Sequence, residues 1–522
     1  MSSGPINSKE GKVLHPDLLN ENLKKTQYAV RGELFLKAEE LRQAGREIII
    51  TNVGNPHQLG AKPLTFTRQV ISLCAAPFLL DHPEAAKIFA PDAIARAKEL
   101  HKAFNGGVGA YQDSRGNTHV RAEVAKFIED RDGVGPADPN HIFLTDGASP
   151  AVRLCLNSIL RNENDGILVP IPQYPLYSAS IQLLGGTLVP YMLDEDKNWA
   201  MDMASLQACG TLVPYMLDED KNWAMDMASL QAAVKQARAD GKAVRGLVFI
   251  NPGNPTGQCL SYDNLKELIK FAYDEKIVLM ADEVYQENIY QDERPFVSAR
   301  KVMKEMGEPY ASGVELLSFH TVSKVNVSGV ELLSFHTVSK GTGGECGLRG
   351  GYVEMNNIHP KTVEELYKIC SINLSPNGVG QVAMSCLVNP PKPGSPSFEQ
   401  HKQEREAELA SLRRRARMVT DGFNALEDVS CTFTEGAMYS FPQLKLPAKA
   451  IAAAKAAGKA PDVFYCLRLL EETGISTVPG SGFGQAEGTF HLRTTILPRE
   501  EKMAEFVSKF RDFHEKFLKQ YK

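Results

Sequence analysis

Short apolar runs rich in β-branched residues alternate along the middle of the chain with longer amphipathic ones, and this alternation narrows the fold more than any other feature. HIFLT begins at His141 and is followed by SPAVRLCLNSIL; GILVPI begins at Gly166 and GLVFI at Gly246; LKELIKFAYDEK then leads into IVLMAD. Runs of this length and composition read as buried strands, and apolar positions three and four apart read as helices that cover them. Strand, helix and strand in succession predict an α/β fold with a mostly parallel sheet sandwiched by helices. Near Pro390 the texture changes. NPPKPGSPS precedes a charged helix, HKQEREAELASLRRRARMVTDGFNAL, and a mixed α and β tail, which marks a domain boundary.

Charge and composition then exclude several classes of partner. A net charge of -5 in 522 residues leaves no global basic field for nucleic acid or an anionic membrane. Arg413, Arg414, Arg415 and Arg417 read instead as the solvated face of the charged helix, with EREAE as their acid partner. The apolar runs fall far short of the roughly 20 residues that cross a bilayer. Nine cysteines lie scattered without CxxC pairs, a reduced, cytosol-like usage, and no metal site is expected. The first thirty residues mix acids and lysines without the apolar run of a signal peptide, and the chain ends LKQYK, so a cytoplasmic location is expected, with an organellar form as the alternative.

Two segments occur twice without a single difference. GTLVPYMLDEDKNWAMDMASLQA spans 186–208 and again 210–232, and SGVELLSFHTVSK spans 312–324 and again 328–340. Repeat architectures carry about three or more divergent copies at one period. Two unrelated pairs read instead as a gene-model or splice-boundary artefact. In a protein that truly carried them, each spare copy would be looped out, because one slot in a packed core takes one copy. A peptide across Ala208, Cys209 and Gly210, sought by mass spectrometry in purified protein, decides between these.

Three stretches carry chemistry. In SFHTVSKGTGGECGLRGGY, from Ser334 to Tyr352, a β-rich run delivers Lys340 into a glycine-dense loop and Arg349 comes nine residues on. A desolvated lysine forms imines, and an arginine suits bidentate phosphate binding; alone, the stretch would also fit a surface loop. In VFINPGNPTGQ a strand runs into two Asn-Pro steps, a rigid turn at the strand end where open α/β sheets bind ligands. IVLMADEVYQ sets Asp282 at the end of a buried strand, suited to holding a pyridinium nitrogen protonated. The metal-binding Asp of nucleotide hydrolases occurs in similar surroundings, but no GxxxxGK[ST] element accompanies it. HIFLTDGASPAVRL opens a helix on small residues, which suits phosphate or plain N-capping equally.

Taken in order, DGAS, PIPQYPLYSA, NPGNPTGQ, ADEVYQ, SFHTVSKG and GECGLRGGY resemble the fold type I, class I pyridoxal-phosphate aminotransferases, over nearly the whole chain apart from the duplicated copies. The likeness is strongest to the alanine aminotransferase branch. It implies a large cofactor-binding domain over 81–388, containing the duplicated stretches 186–232 and 312–340, an N-terminal arm with part of the small domain over 1–80, and a C-terminal small domain over 389–522.

The resemblance also implies roles. Lys340 would be the Schiff-base lysine and proton shuttle, Asp282 the partner of the pyridine nitrogen, and Tyr285 and Asn254 hydrogen-bond partners of the ring hydroxyl. Tyr174 would stack on the ring, while Ala148, Ser149, Thr337, Ser339 and Arg349 would hold the phosphate. Arg493 would clamp the substrate carboxylate, with Asn254 beside it and Gly54 in the segment that closes over the site. Tyr111 would reach the phosphate of the neighbouring subunit in a homodimer. At Thr337 the family usually has serine; the hydroxyl is kept.

Lys324 ends the upstream copy, but Val-Asn-Val comes after it, so Lys340 is the expected cofactor lysine. The implied reaction is ping-pong transamination from L-alanine to 2-oxoglutarate, releasing pyruvate and L-glutamate. Glutamate:glyoxylate transamination, a lyase on the same scaffold and a catalytically silent binding protein are the rivals.

Overall fold

The computed structural model describes residues 9–10, 12–26, 32–194, 200–201, 227–311, 329–486 and 488–522. After a short first strand, β1 (Ile49–Ile50), eight strands form one sheet: β2 (Ile142–Thr145), β3 (Asp165–Ile171), β4 (Thr187–Asp194), β5 (Ala200–Met201), β6 (Ala243–Ile250), β7 (Val278–Asp282), β8 (Leu332–Thr337) and β9 (Gly351–Asn356). Their spatial order is β2-β9-β8-β7-β6-β3-β4-β5. The five in the middle, from β4 to β8, are parallel. β9 runs antiparallel to β8 and β2, and β5 antiparallel to β4. The expected α/β sandwich is therefore the one that forms.

Continuous apolar runs are required because helices cover both faces of this sheet. One face sets Val248, Met280, Phe335 and Val353 against Val152, Cys155 and Leu156 of the Ala148–Ile159 helix. The other sets Leu247, Phe249, Leu279 and Leu332 against Leu265, Leu268, Ile269 and Ala272 of the Tyr262–Glu275 helix. That helix is the LKELIKFAYDEK segment. It opens on a capping box between Ser261 and Asn264 and closes on Lys276 in the left-handed region. Each fully buried Leu, Ile or Phe contributes about 1.5–3 kcal/mol.

A second cluster joins the long Phe398–Asn424 and Glu500–Tyr521 helices through Val419, Phe423, Phe506, Phe510, Phe513 and Phe517. Around it lie the short strands β10 (Val429–Ser430), β11 (Tyr439–Ser440), β12 (Gln443–Leu444), β13 (Ile475–Ser476), β14 (Val478–Pro479) and β15 (Leu492–Thr495). β1 pairs in parallel with β13, which fastens the N-terminal segment to this unit. The Thr65–Ala75 helix instead packs beside the Pro91–Ala103 and Gly378–Val388 helices. Tyr285 and Tyr290, just past β7, belong to the C-terminal cluster, so that unit sits over the carboxyl end of the sheet.

Of the arginine run, Arg414 and Arg417 are exposed and Arg413 partly so, as expected, and Arg415 alone departs from expectation. Arg415 is buried and donates to the Leu497 and Pro498 carbonyls, with Glu408 of EREAE as its acid partner. Arg413 pairs with Asp292 and Arg414 with Glu500. Helical periodicity could not foresee the burial of Arg415, because the Leu497 and Pro498 carbonyls that receive it come from another part of the chain. None of the eight described cysteines is in a disulfide, and all but Cys346 are buried. Among the described residues no helix is long and apolar enough to cross a membrane.

The duplicated segments divide between the copies. β4 comes from the upstream copy of the first pair, whereas the Met227–Ala239 helix starts in the downstream copy. β8 and Lys340 come from the downstream copy of the second pair. The upstream copy with Lys324 lies outside the described residues, as does the expected looping out.

Candidate active site

The sequence motifs converge on the carboxyl edge of the sheet, apart from those carrying Gly54, Tyr111 and Arg493. The register accounts for it. Thr145, Gly351 and Thr337 are cross-strand partners on β2, β9 and β8, and Ile250, Asp282 and Phe335 are partners on β6, β7 and β8. The loops leaving these strand ends are thereby gathered along one line, where open α/β sheets bind ligands.

On the β2, β9 and β8 side lies an anion cup. The Ala148–Ile159 helix begins after Gly147 at φ 92, with no side chain capping it, so Ala148 and Ser149 offer free backbone amides. A Cβ at Gly147 would collide with the Arg349 guanidinium. Arg349, itself left-handed at φ 54, donates to the carbonyls of Cys346 at 2.8 Å and Asp146 at 3.0 Å and to Ser339 Oγ at 3.2 Å. These neutral acceptors leave its charge uncompensated. Thr337 Oγ1 donates to the Gly350 carbonyl at 2.7 Å and receives the Ser339 amide at 3.2 Å, so this hydroxyl braces the loop and orients Ser339.

Past β7 and β6 the site becomes apolar and buried. Asp282 accepts the Tyr177 hydroxyl at 2.7 Å. Burial pushes the Asp282 carboxyl up, and the Tyr177 hydrogen bond and the Lys340 charge oppose that. Asn254 Nδ2 lies 3.5 Å from the Tyr285 hydroxyl, which lies 3.4 Å from the Tyr439 hydroxyl. Lys340 Nζ stands 5.3 Å from the Tyr285 ring centre. Tyr174 is half-buried, packs against the cluster under the Ala148–Ile159 helix and interacts electrostatically with Tyr177 and Tyr285.

Arg493 is 1% exposed. It donates to the Asn52 carbonyl at 2.8 Å and to Asn254 Oδ1 at 3.2 Å, and its guanidinium lies 4.3 Å from the Tyr439 ring centre and 4.7 Å from that of Phe483. Its Nε has no partner. A buried guanidinium without a carboxylate, among the described residues, is suited to receive an anion. A Cβ at Gly54 would collide with the Tyr439 hydroxyl and stand 3.4 Å from Lys340 Nζ, so only glycine fits above the lysine.

The structure thus gathers all the expected site residues except Tyr111, whose side chain is 77% exposed on the surface. Sequence reasoning missed Tyr177, Tyr439, Asn52 and Phe483. Tyr177 stood in PQYPLY, three residues past Tyr174 and so one helical turn on. Tyr439 offered no signal beyond a two-residue strand. Immediately behind the site lies a buried ion group that was also missed. Arg131 pairs with Asp132, and Arg300 with Asp132 and Glu354. Glu283 accepts the Ala299 amide, and His336 stands beside them with both ring nitrogens unpartnered.

The aminotransferase class I and II family model matches residues 68–211 and 208–510; the two matches overlap where one duplicated copy gives way to the next. The chain is 58% identical to glutamate–glyoxylate aminotransferase 1 of Arabidopsis thaliana over 98% of both chains. It is 46% identical to alanine aminotransferase 2 of Panicum miliaceum, over 97% of this chain and 98% of that one. Among solved structures, the alanine aminotransferase of Pyrococcus furiosus shares its fold with a TM-score of 0.69 at 21% identity, covering 95% of this chain and 100% of that one. The chain belongs to the class I and II aminotransferases. It is a pyridoxal-phosphate-dependent enzyme of that family. The donor set fits the cofactor: an anion cup with an uncompensated arginine, a buried carboxyl for a ring nitrogen, and a lysine between them.

Proposed function

We propose that this enzyme moves the amino group of L-alanine to 2-oxoglutarate, giving pyruvate and L-glutamate in two half-reactions. The observation that carries this is Arg493, a buried guanidinium with neutral partners 4.3 Å from the ring centre of the tyrosine that borders Lys340, which suits a small α-carboxylate. Ala148, Ser149, Ser339 and Arg349 would hold the cofactor phosphate, with Thr337 bracing that loop. Asp282 would sit at the ring nitrogen, Asn254 and Tyr285 at the ring hydroxyl, and Tyr174 against the ring face. Bound there, the cofactor supplies an electron sink that lets the α-proton leave. Lys340 Nζ would take that proton and return it, while Gly54 and Tyr439 exclude water above it.

Glutamate donating to glyoxylate is a second reading, and one observation favours it: the two relatives so named are 58% and 59% identical, against 46% for the alanine aminotransferase of Panicum miliaceum. The two reactions share the glutamate half and differ by one methyl on the oxo acid. The test is kcat/KM with glutamate as donor and pyruvate or glyoxylate as acceptor. A pyruvate preference supports the first reading, a glyoxylate preference the second, and turnover of neither refutes both.

We further propose a homodimer in which Tyr111 serves the neighbouring site. Its 77% exposure beside Ser114, which donates to the Leu374 carbonyl near the 81% exposed Ile372, supports a partner there. Sedimentation at micromolar concentration tests it. The domain division at 80 and 388 and a cytoplasmic location complete the reading. Relatives at 43% and 44% identity are named mitochondrial, so imaging of the full-length protein in its own cells decides the location.

A further inference from the structure

Tyr439 arrives from β11, 154 residues away in sequence from Tyr285, and no chemistry was expected of it. It is 3% exposed. Its hydroxyl lies 3.4 Å from the Tyr285 hydroxyl, and Gly54 closes over both it and Lys340 Nζ: a Cβ there would collide with the hydroxyl and stand 3.4 Å from Nζ. The groups that face it are Lys340 from the loop after β8, Tyr285 from the segment after β7 and Arg493 from β15; Asn52 and Gly54 of the N-terminal segment bring no charge. Burial alone would raise the phenol's pKa, but the Lys340 and Arg493 charges and the Tyr285 hydrogen bond outweigh burial and lower it. Tyr285 stays well above the ordinary range, through burial and the neighbouring Tyr439 and Asp282. Of the two phenols beside the lysine, Tyr439 is the one whose hydroxyl shares with Nζ the space beneath Gly54.

We propose that Tyr439 is a positioning residue for Lys340: its oxygen accepts an N–H of the neutral amine, which leaves the single lone pair free for the α-proton, and accepts from the ammonium afterwards. The inference rests on the aminotransferase reading of this site. Proton count is conserved. Nζ gains one proton from the α-carbon and gives one back to complete the transfer, and the phenol ends as it began. Its contribution is to hold the lone pair in line across a face from which Gly54 excludes water.

Two measurements test it on the full chain. In protein freed of cofactor, tyrosinate absorbance against pH, taken as wild type minus Tyr439→Phe, is expected to show one phenol ionising below the ordinary value of about 10. In Lys340→Ala, with Tyr439 intact, that transition is expected to move upward. A wild-type transition at or above the ordinary value, or one that Lys340→Ala leaves in place, overturns the proposal. With cofactor bound, Tyr439→Phe is expected to lower kcat for L-alanine roughly tenfold, the loss of one hydrogen bond worth about 1.4 kcal/mol. KM should stay within about twofold, and the isotope effect with α-deuterated alanine should rise. A kcat and isotope effect equal to wild type sink the inference while leaving the function in place. An inactive wild type would sink the function itself.

Discussion

Replacing Glu283 by Gln is expected to stabilise the protein above neutrality and to change little in mild acid. Glu283 comes directly after Asp282 and turns into the buried ion group, where three carboxylates meet two guanidiniums. Arg131 is already engaged with Asp132 at 2.7 Å, and Arg300 with Asp132 at 3.3 Å and Glu354 at 3.0 Å. Burial therefore pushes the Glu283 carboxyl up from 4.5 to about 7, with the Arg131 charge opposing it. An acid whose folded pKa is raised holds its proton more tightly folded than unfolded, so it removes stability as pH climbs from 4.5 to about 7. At about 1.4 kcal/mol per pH unit the loss reaches roughly 3 kcal/mol.

His336 works in the opposite sense in an overlapping window. Burial and the Arg131 charge hold it down from 6.5 to about 3, so stability falls as pH drops below 6.5. Between 4.5 and 6.5 the two cancel in the wild type. The assay is the urea midpoint by circular dichroism, at pH 5, 6, 7 and 8, for wild type and Glu283→Gln. The glutamine keeps Oε1 for the Ala299 amide, which Glu283 accepts at 2.8 Å. The variant is expected to exceed wild type by less than about 1 kcal/mol at pH 5 and by about 3 kcal/mol at pH 8. A variant that weakens relative to wild type as pH rises would mean that Glu283 is charged and paired in the folded protein, and would refute the reasoning.

Three other outcomes are expected from the same geometry. Lys340→Ala should abolish covalent cofactor attachment, read as a borohydride-stable adduct by mass spectrometry, whereas Lys324→Ala should retain it; the reverse would move the active site to the upstream copy. Arg349→Ala removes a guanidinium whose charge no acid among the described residues compensates, so cofactor affinity, followed by equilibrium dialysis, should fall about ten- to a hundredfold, the worth of one charge-assisted hydrogen bond. Gly54→Ala drives a methyl into the Tyr439 hydroxyl, and kcat/KM for L-alanine should drop by about a hundredfold; adding Tyr439→Phe removes the colliding atom and should recover part of the affinity, seen as a lower KM.

The features legible in the sequence were those that neighbouring residues decide. β3, β6, β7 and β8 were legible because both faces are covered, which writes burial into unbroken apolar runs. Lys340 and Arg349 were legible because one loop carries both, and glycines at 341 and 344 with positive φ let it fold back on itself. Arg415 was misread because its sequence neighbours are charged while its partners, Leu497 and Pro498, lie beyond the reach of any helical period. Tyr439 was invisible for the same reason: nothing local distinguishes a phenol in EGAMYSF from an ordinary core tyrosine until Lys340, Tyr285 and Gly54 surround it.

The duplications separate these two kinds of information more sharply. Identical segments have identical propensities, patterns and turn residues, so nothing within a copy can choose between them; only the chain to which each copy is attached can. The upstream LVPYMLD is joined to the Leu176–Leu183 helix by a short turn and so enters beside β3 as β4. The downstream MASLQA runs without a break into AVKQARADGK and so becomes the helix that leads to β6. Likewise the SFHTVSK that forms β8 is the one whose lysine enters the glycine loop, because the next strand, β9, must return antiparallel beside it and bring Arg349 to Ser339. The reactive lysine is thus fixed by a strand pairing that lies outside the motif that contains it.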